Sequence, residues 1–148
     1  MDALAQSLTR DAGDDDRFRI ELPSDLARVG DVVDAACACC FPDGRESRRT
    51  RFRLCTVLAE AVANAMLYGN HGDPALLVII EIAVGNEELV LSISDQGDGF
   101  DHTAVPLLLG DESLEATRGR GLYMIHRLAE HVAFNERGNT IWITLPRH

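Results

Sequence analysis

The sequence contains no lysine; its 14 basic residues are all arginine. That excludes every mechanism built on an active-site lysine, including the GxxxxGK[ST] phosphate loop. It also lacks any apolar run near the roughly 18 residues a membrane helix needs, because Glu81 and the pair Glu87-Glu88 interrupt its most apolar stretch. No membrane association is therefore expected. The first nineteen residues are acidic and have no apolar signal core, which argues against secretion. Basic excess is missing too: 24 acids against 14 bases give a net charge of −10. Neutralising a phosphate backbone needs clustered cations, so direct nucleic-acid binding is not expected. The one local basic cluster is Arg45, Arg48, Arg49, Arg51 and Arg53.

What is present is one globular domain's worth of chain. At 148 residues with 46% hydrophobic and 26% charged positions, it can bury a core of its own. The four cysteines, Cys37, Cys39, Cys40 and Cys55, follow neither a CxxC redox pattern nor a zinc-knuckle spacing. Three lie in the apolar segment Val32 to Phe41, where a free thiol behaves as a small buried hydrophobe. Free thiols without a leader point to a reducing, cytoplasmic setting.

Residues 1–16 read as a disordered acidic tail, and 17–148 as a single domain. Phe18, Ile20 and Leu22 alternate with charged residues as in a half-buried strand stopped by Pro23. Ser24 is the natural N-cap of an amphipathic helix carrying Leu26, Val29, Val32, Val33 and Ala36. A second, longer helix is expected from about Glu46 to Tyr68, with Gly69 as its C-terminal stop. Leu76–Val84 and Leu89–Ser94 read as a hairpin. A long aperiodic stretch follows, then a helix from Gly119 or Gly121 to His131, then a last hairpin, Val132–Asn135 and Thr140–Leu145. Hairpins alternating with helices predict an α/β (α+β) two-layer sandwich, with a mixed, mainly antiparallel sheet faced by helices.

Three segments carry chemistry. Glu60 and Asn64 stand one turn apart on the long helix, so a carboxylate and an amide share one face. That pair suits proton acceptance beside a neutral oxygen ligand for a hard cation. Asp95, Gly97 and Gly99 directly follow a strand: the acid can accept from an exocyclic amine, and the glycines let backbone approach a ligand. Gly119, Arg120, Gly121 and Leu122 open a helix whose N-terminal amides offer a phosphate site. Each alone is a common pattern, a solvated helix face, a hairpin turn or a loop–helix junction. Their order is distinctive.

That order, Glu-x-x-x-Asn helix, strand-Asp-x-Gly-x-Gly, long loop and Gly-x-Gly-Leu helix, resembles the Bergerat-fold ATPases of the gyrase and histidine-kinase type over about Arg17 to Pro146. Within them the layout is most similar to the stand-alone anti-sigma-factor serine/threonine kinases, down to the closing Gly138-Asn-Thr140-Ile-Trp-Ile-Thr-Leu-Pro146. The resemblance implies ATP and Mg2+ as cofactors, Glu60 as general base on the attacking hydroxyl, and Asn64 as the magnesium ligand. It implies that Asp95 accepts from the adenine amino group, with Gly97 and Gly99 shaping the pocket and Phe100 packed behind it. Gly119, Arg120, Gly121 and Leu122 would bind phosphate under a lid of residues 101–118, with Thr140 near the adenine. The implied partners are a sigma factor and an anti-sigma antagonist phosphorylated on serine; proteins of this kind are often homodimers, although the sequence itself does not set the oligomeric state. One departure is Tyr68, where many members have histidine before the glycine. It keeps open a second reading, a nucleotide-binding module that sequesters a partner without transferring phosphate.

Overall fold

The computed structural model describes residues 8–11, 16–98 and 116–148, with side chains at 16–98 and 121–148. Among the described residues six strands form one sheet: β1 (Leu8–Asp11), β2 (Asp16–Pro23), β3 (Leu77–Val84), β4 (Glu88–Ser94), β5 (His131–Phe134) and β6 (Thr140–Pro146). Their spatial order is β1-β2-β3-β4-β6-β5. The described α-helices, α1 (Val29–Cys40), α2 (Arg48–Asn64) and α3 (Ala116–Leu128), complete the α+β fold.

Period-two alternation decides which face of the sheet is buried. Ile20 on β2 pairs with Ile80 on β3, Ile80 with Ile93 on β4, and Ile93 with Ile141 on β6. One apolar row thus crosses four strands. Ile82, Leu91 and Ile143 form a second row beside it. The helices cover these rows with Val32 and Ala36 of α1, Leu54, Val57, Leu58 and Ala61 of α2, and Leu122 and Ile125 of α3. Each large aliphatic side chain so buried contributes about 1.5–3 kcal/mol through removal from water. On the other face Arg19 meets Glu21 at 2.7 Å and Glu81 at 3.2 Å, half-exposed pairs of little energetic weight.

The fold departs from the sequence reading at five points. The stretch expected to be a tail supplies β1, which pairs antiparallel with β2 from Leu8↔Ile20 to Asp11↔Arg17; the open edge of β2 offers the backbone partners that a polar segment can satisfy. The expected mixed sheet is antiparallel in every described pairing: β6 lies between β4 and β5 and runs opposite to both, so the crossover from β4 to β5 makes no parallel pair. Ser24 does not cap a helix: Asp25 caps a 3-10 turn (Leu26–Arg28) that leads into α1, and Ser24 is drawn inward instead. The long helix starts at Arg48 under a Ser47 cap and leaves α geometry after Asn64, where Ala65–Gly69 form a π turn. The left-handed residues that turn the chain are His71 (φ 53°) and Gly72 (φ 70°), not Gly69.

Two of the four cysteines, Cys37 and Cys40, are buried on the inner side of α1. All four are free thiols, and the Cys37 and Cys55 sulfurs stand 3.5 Å apart.

Candidate nucleotide site

A cleft opens where α2, α3, the end of β4 and the β5–β6 hairpin meet. Ala61, Ala65, Ile93, Leu122, Ile125, Phe134 and Ile141 make most of its wall, and Asn64, Asp95 and Thr140 supply polar atoms. Such a mostly apolar slot with a few convergent polar groups is the usual form of a small-molecule site.

Asp95 follows the last residue of β4. Its backbone N–H donates to the Asn139 carbonyl (2.9 Å), and its Oδ1 accepts from the Gly97 N–H (2.9 Å). Two glycines allow this crowding. A Cβ at Gly69 would overlap the Asp95 carboxylate, and one at Gly97 would overlap the Gly69 carbonyl. Gly69 is therefore required by close approach, not by an unusual backbone angle. Behind it Asn70, fully buried, donates to Ser24 Oγ (2.9 Å) and the Leu77 carbonyl (3.0 Å) and accepts from the Gln96 N–H (2.9 Å). Ser24 Oγ donates onward to the Leu76 carbonyl, and the Leu77 N–H donates to Gln96 Oε1 at 2.6 Å. This network locks the end of the π turn to the loop bearing Asp95. In sequence Asn70 and Gln96 carried no role, and Ser24 and Gly69 only those of a helix cap and a helix stop; the adjacency of Asn70 to the Glu60–Asn64 helix was the signal that pointed to it.

Thr140 exchanges a hydroxyl hydrogen bond with Ser94 (2.8 Å), which seats it at the wall shared with Asp95. The hairpin that presents it is pinned by Asn135, whose Oδ1 accepts from the N–H groups of Gly138, Asn139 and Thr140.

At the far side of the cleft α2 and α3 touch through a glycine. A Cβ at Gly121 would stand 2.7 Å from Glu60 Oε2 and 3.3 Å from Asn64 Nδ2. The backbone of α3 thus lies directly against both polar residues of α2. Asn64 Nδ2 is buried and has no hydrogen-bond partner among the described residues. An unsatisfied buried amide costs about 1–3 kcal/mol, and a ligand reaching this point would relieve it. Among the described residues no group of three His, Cys, Asp or Glu could hold a metal ion. A Mg2+ here would have Asn64 as a side-chain oxygen ligand and take the rest from phosphates and water, as that ion commonly does.

The structure brings Asn64, Asp95, Leu122 and Thr140 to the wall of one cleft, with Gly97 bonded to Asp95 and Gly121 close against Glu60 and Asn64. Gly119 and Arg120 do not open the helix as expected. They lie inside α3, which starts at Ala116, so the amides from Arg120 onward fall within the helical ladder and only the first turn offers free N–H groups. Gly99, Phe100 and residues 101–115 of the expected lid lie outside the described residues, as does the Arg120 side chain.

Comparison with known proteins agrees with this arrangement. The family model of the histidine kinase-like ATPase domain matches residues 22–145. The chain is also similar to the anti-sigma F factors of Oceanobacillus iheyensis (30% identical over 95 residues), Geobacillus thermodenitrificans (28% over 94) and Bacillus cytotoxicus (33% over 95). Each match covers 60% of this chain and 64% of the relative, so the chain spans just under two thirds of those proteins. A domain model that takes in both the Glu60 helix and the Thr140 strand leaves one assignment: the chain belongs to the histidine kinase-like ATPase domain family.

Proposed function

We propose that this protein is an ATP-dependent serine/threonine protein kinase that acts as an anti-sigma regulatory factor, phosphorylating a serine of an antagonist protein. The observation that carries the reading is one cleft lined by Asp95, Thr140 and Asn64, with Glu60 one helical turn before Asn64 and close against the same Gly121 backbone. The similarity to anti-sigma F factors supports the regulatory half of the reading.

The chain's own residues divide the work. The apolar walls from Ile93, Ile125 and Ile141 take the adenine ring, and Asp95 accepts from its amino group. Thr140, tied to Ser94, is a further polar contact on that ring. Asn64 offers its amide oxygen toward the phosphates, where a bound Mg2+ supplies charge neutralisation. Glu60, one turn earlier on α2, accepts the proton of the incoming serine hydroxyl. The close backbone of Gly121 fixes where both side chains lie. Phosphoryl transfer relies mostly on positioning and electrostatics, which is what this rigid pair of helices provides.

The test is transfer of radiolabel from γ-labelled ATP to whatever protein co-purifies with the chain from its native cell. A labelled serine on that partner is expected. Binding of ATP and partner with no transfer would favour the sequestering module, the reading that Tyr68 leaves available.

A further inference from the structure

The basic cluster of the sequence has no part in the cleft, yet the structure aligns it with the proposed base. Successive residues of an α-helix are turned by roughly 100°. Arg49, Phe52, Arg53, Thr56 and Glu60 therefore fall on one stripe of α2, and Thr50, Leu54, Val57, Leu58 and Ala61 on the buried opposite side. Arg49 is exposed and Phe52 is 56% exposed, a large aromatic surface left in water on the same stripe as two arginines. Arg53 is half-buried, and its Nη1 is shielded from solvent with no hydrogen-bond partner among the described residues. Of the five arginines only Arg51, which points off the stripe, has an ionic partner among the described residues, Glu46 at 3.1 Å. Arg49 and Arg53 thus have no ionic partner among the described residues, in a protein of net charge −10.

Resting on the kinase reading above, we infer that the Arg49–Phe52–Arg53 stripe docks an acidic segment of the protein substrate and delivers its serine to Glu60. Charge complementarity selects the occupant: unpaired guanidinium groups favour carboxylates, and Phe52 gives the segment an apolar foothold. A nucleic acid would also meet the arginines, but it would face the repulsion of the surrounding acidic surface and present no hydroxyl-bearing side chain to Glu60. Spacing makes the inference specific. Arg53 precedes Glu60 by about 10 Å along the helix axis and Arg49 by about 16 Å. An extended peptide covers about 3.3 Å per residue. The acids should therefore lie about three to five residues from the acceptor serine.

The experiment uses the full chain with a non-hydrolysable ATP analogue and labelled synthetic peptides followed by fluorescence anisotropy. One peptide carries glutamates three to five residues from a serine, a second carries glutamines there, and a short DNA duplex is the third probe. The glutamate peptide should bind, and weaken about tenfold or more with Arg49→Glu/Arg53→Glu and with the glutamine peptide. Arg53→Lys, which keeps the charge, should retain most of the binding. Arg48→Glu, off the stripe, should change it by less than about twofold, and ATP affinity should be unaltered in every variant. Failure of the glutamate peptide to bind, equal binding of both peptides, an equal loss with Arg48→Glu, or tighter binding of DNA would each overturn the inference. Phosphate transfer to the same peptides is scored separately. Acid-dependent binding without transfer by the wild type would sink the kinase reading and leave the docking surface standing.

Discussion

Asp95 is the residue whose chemistry the cleft depends on most. Its Oδ1 is occupied by the Gly97 N–H, and the glycines at 69 and 97 crowd the backbone against it. Asp95→Asn keeps the shape but presents an amide where an acceptor is needed. ATP affinity should fall by about 1–3 kcal/mol, and discrimination against GTP should shrink. Calorimetric titration checks this, and wild-type affinity in the variant would remove Asp95 from base recognition. The cysteines give a separate test at this scale. Burial pushes the Cys40 thiol up to about 12 from an ordinary 9.0 and does the same to Cys37, which Cys55 also contacts. A raised acid binds its proton more tightly when folded, so its contribution is complete below pH 9.0 and is lost as pH rises toward 12. Urea denaturation across that window should show stability declining with pH, less steeply in Cys40→Ala. Asp95, Glu60 and Asn64 were legible from residue type and spacing. Asn70 was not, because a fully buried amide with three partners reads in sequence like any turn asparagine.

At the scale of elements, the period-two pattern fixed most strands because one face of the sheet is dry. Ile80 sits at the centre of the row that joins Ile20, Ile93 and Ile141. Ile80→Ala should cost about 2–5 kcal/mol, read from the urea midpoint at unchanged slope. A loss below about 1 kcal/mol would mean that the row is not the core. Boundaries were harder to see wherever local signals competed with tertiary demands. Ser24 has the side chain of a helix cap, yet the Asn70 network draws it inward. An unbroken helical pattern runs to Tyr68, yet the chain widens into a π turn at Ala65, directly after Asn64. Such turns are frequent at functional sites. The start of α3 ahead of Gly119 was hidden because glycine disfavours helix, and Gly119 and Gly121 both fall within its first two turns.

For the molecule as a whole, the sheet and helices bring residues from distant parts of the sequence to one opening. Asn64 on α2, Asp95 after β4, Gly121 on α3 and Thr140 on β6 share it. The order of the motifs carried this assembly in sequence, although the distances between them could only come from the fold. The edge strand β1 could not be read in advance, since its formation depends on the backbone of β2 and not on its own apolar content. The central claim is that one end of the cleft binds ATP and the other, at Glu60, activates a partner's hydroxyl. Phosphate transfer by Glu60→Gln, measured beside ATP binding by the same variant, tests it most directly. Gln keeps the shape at Gly121 but cannot accept the proton, so ATP affinity should match the wild type while transfer falls by about 10² or more. Normal transfer by Glu60→Gln, or loss of ATP binding in step with transfer, would contradict the account.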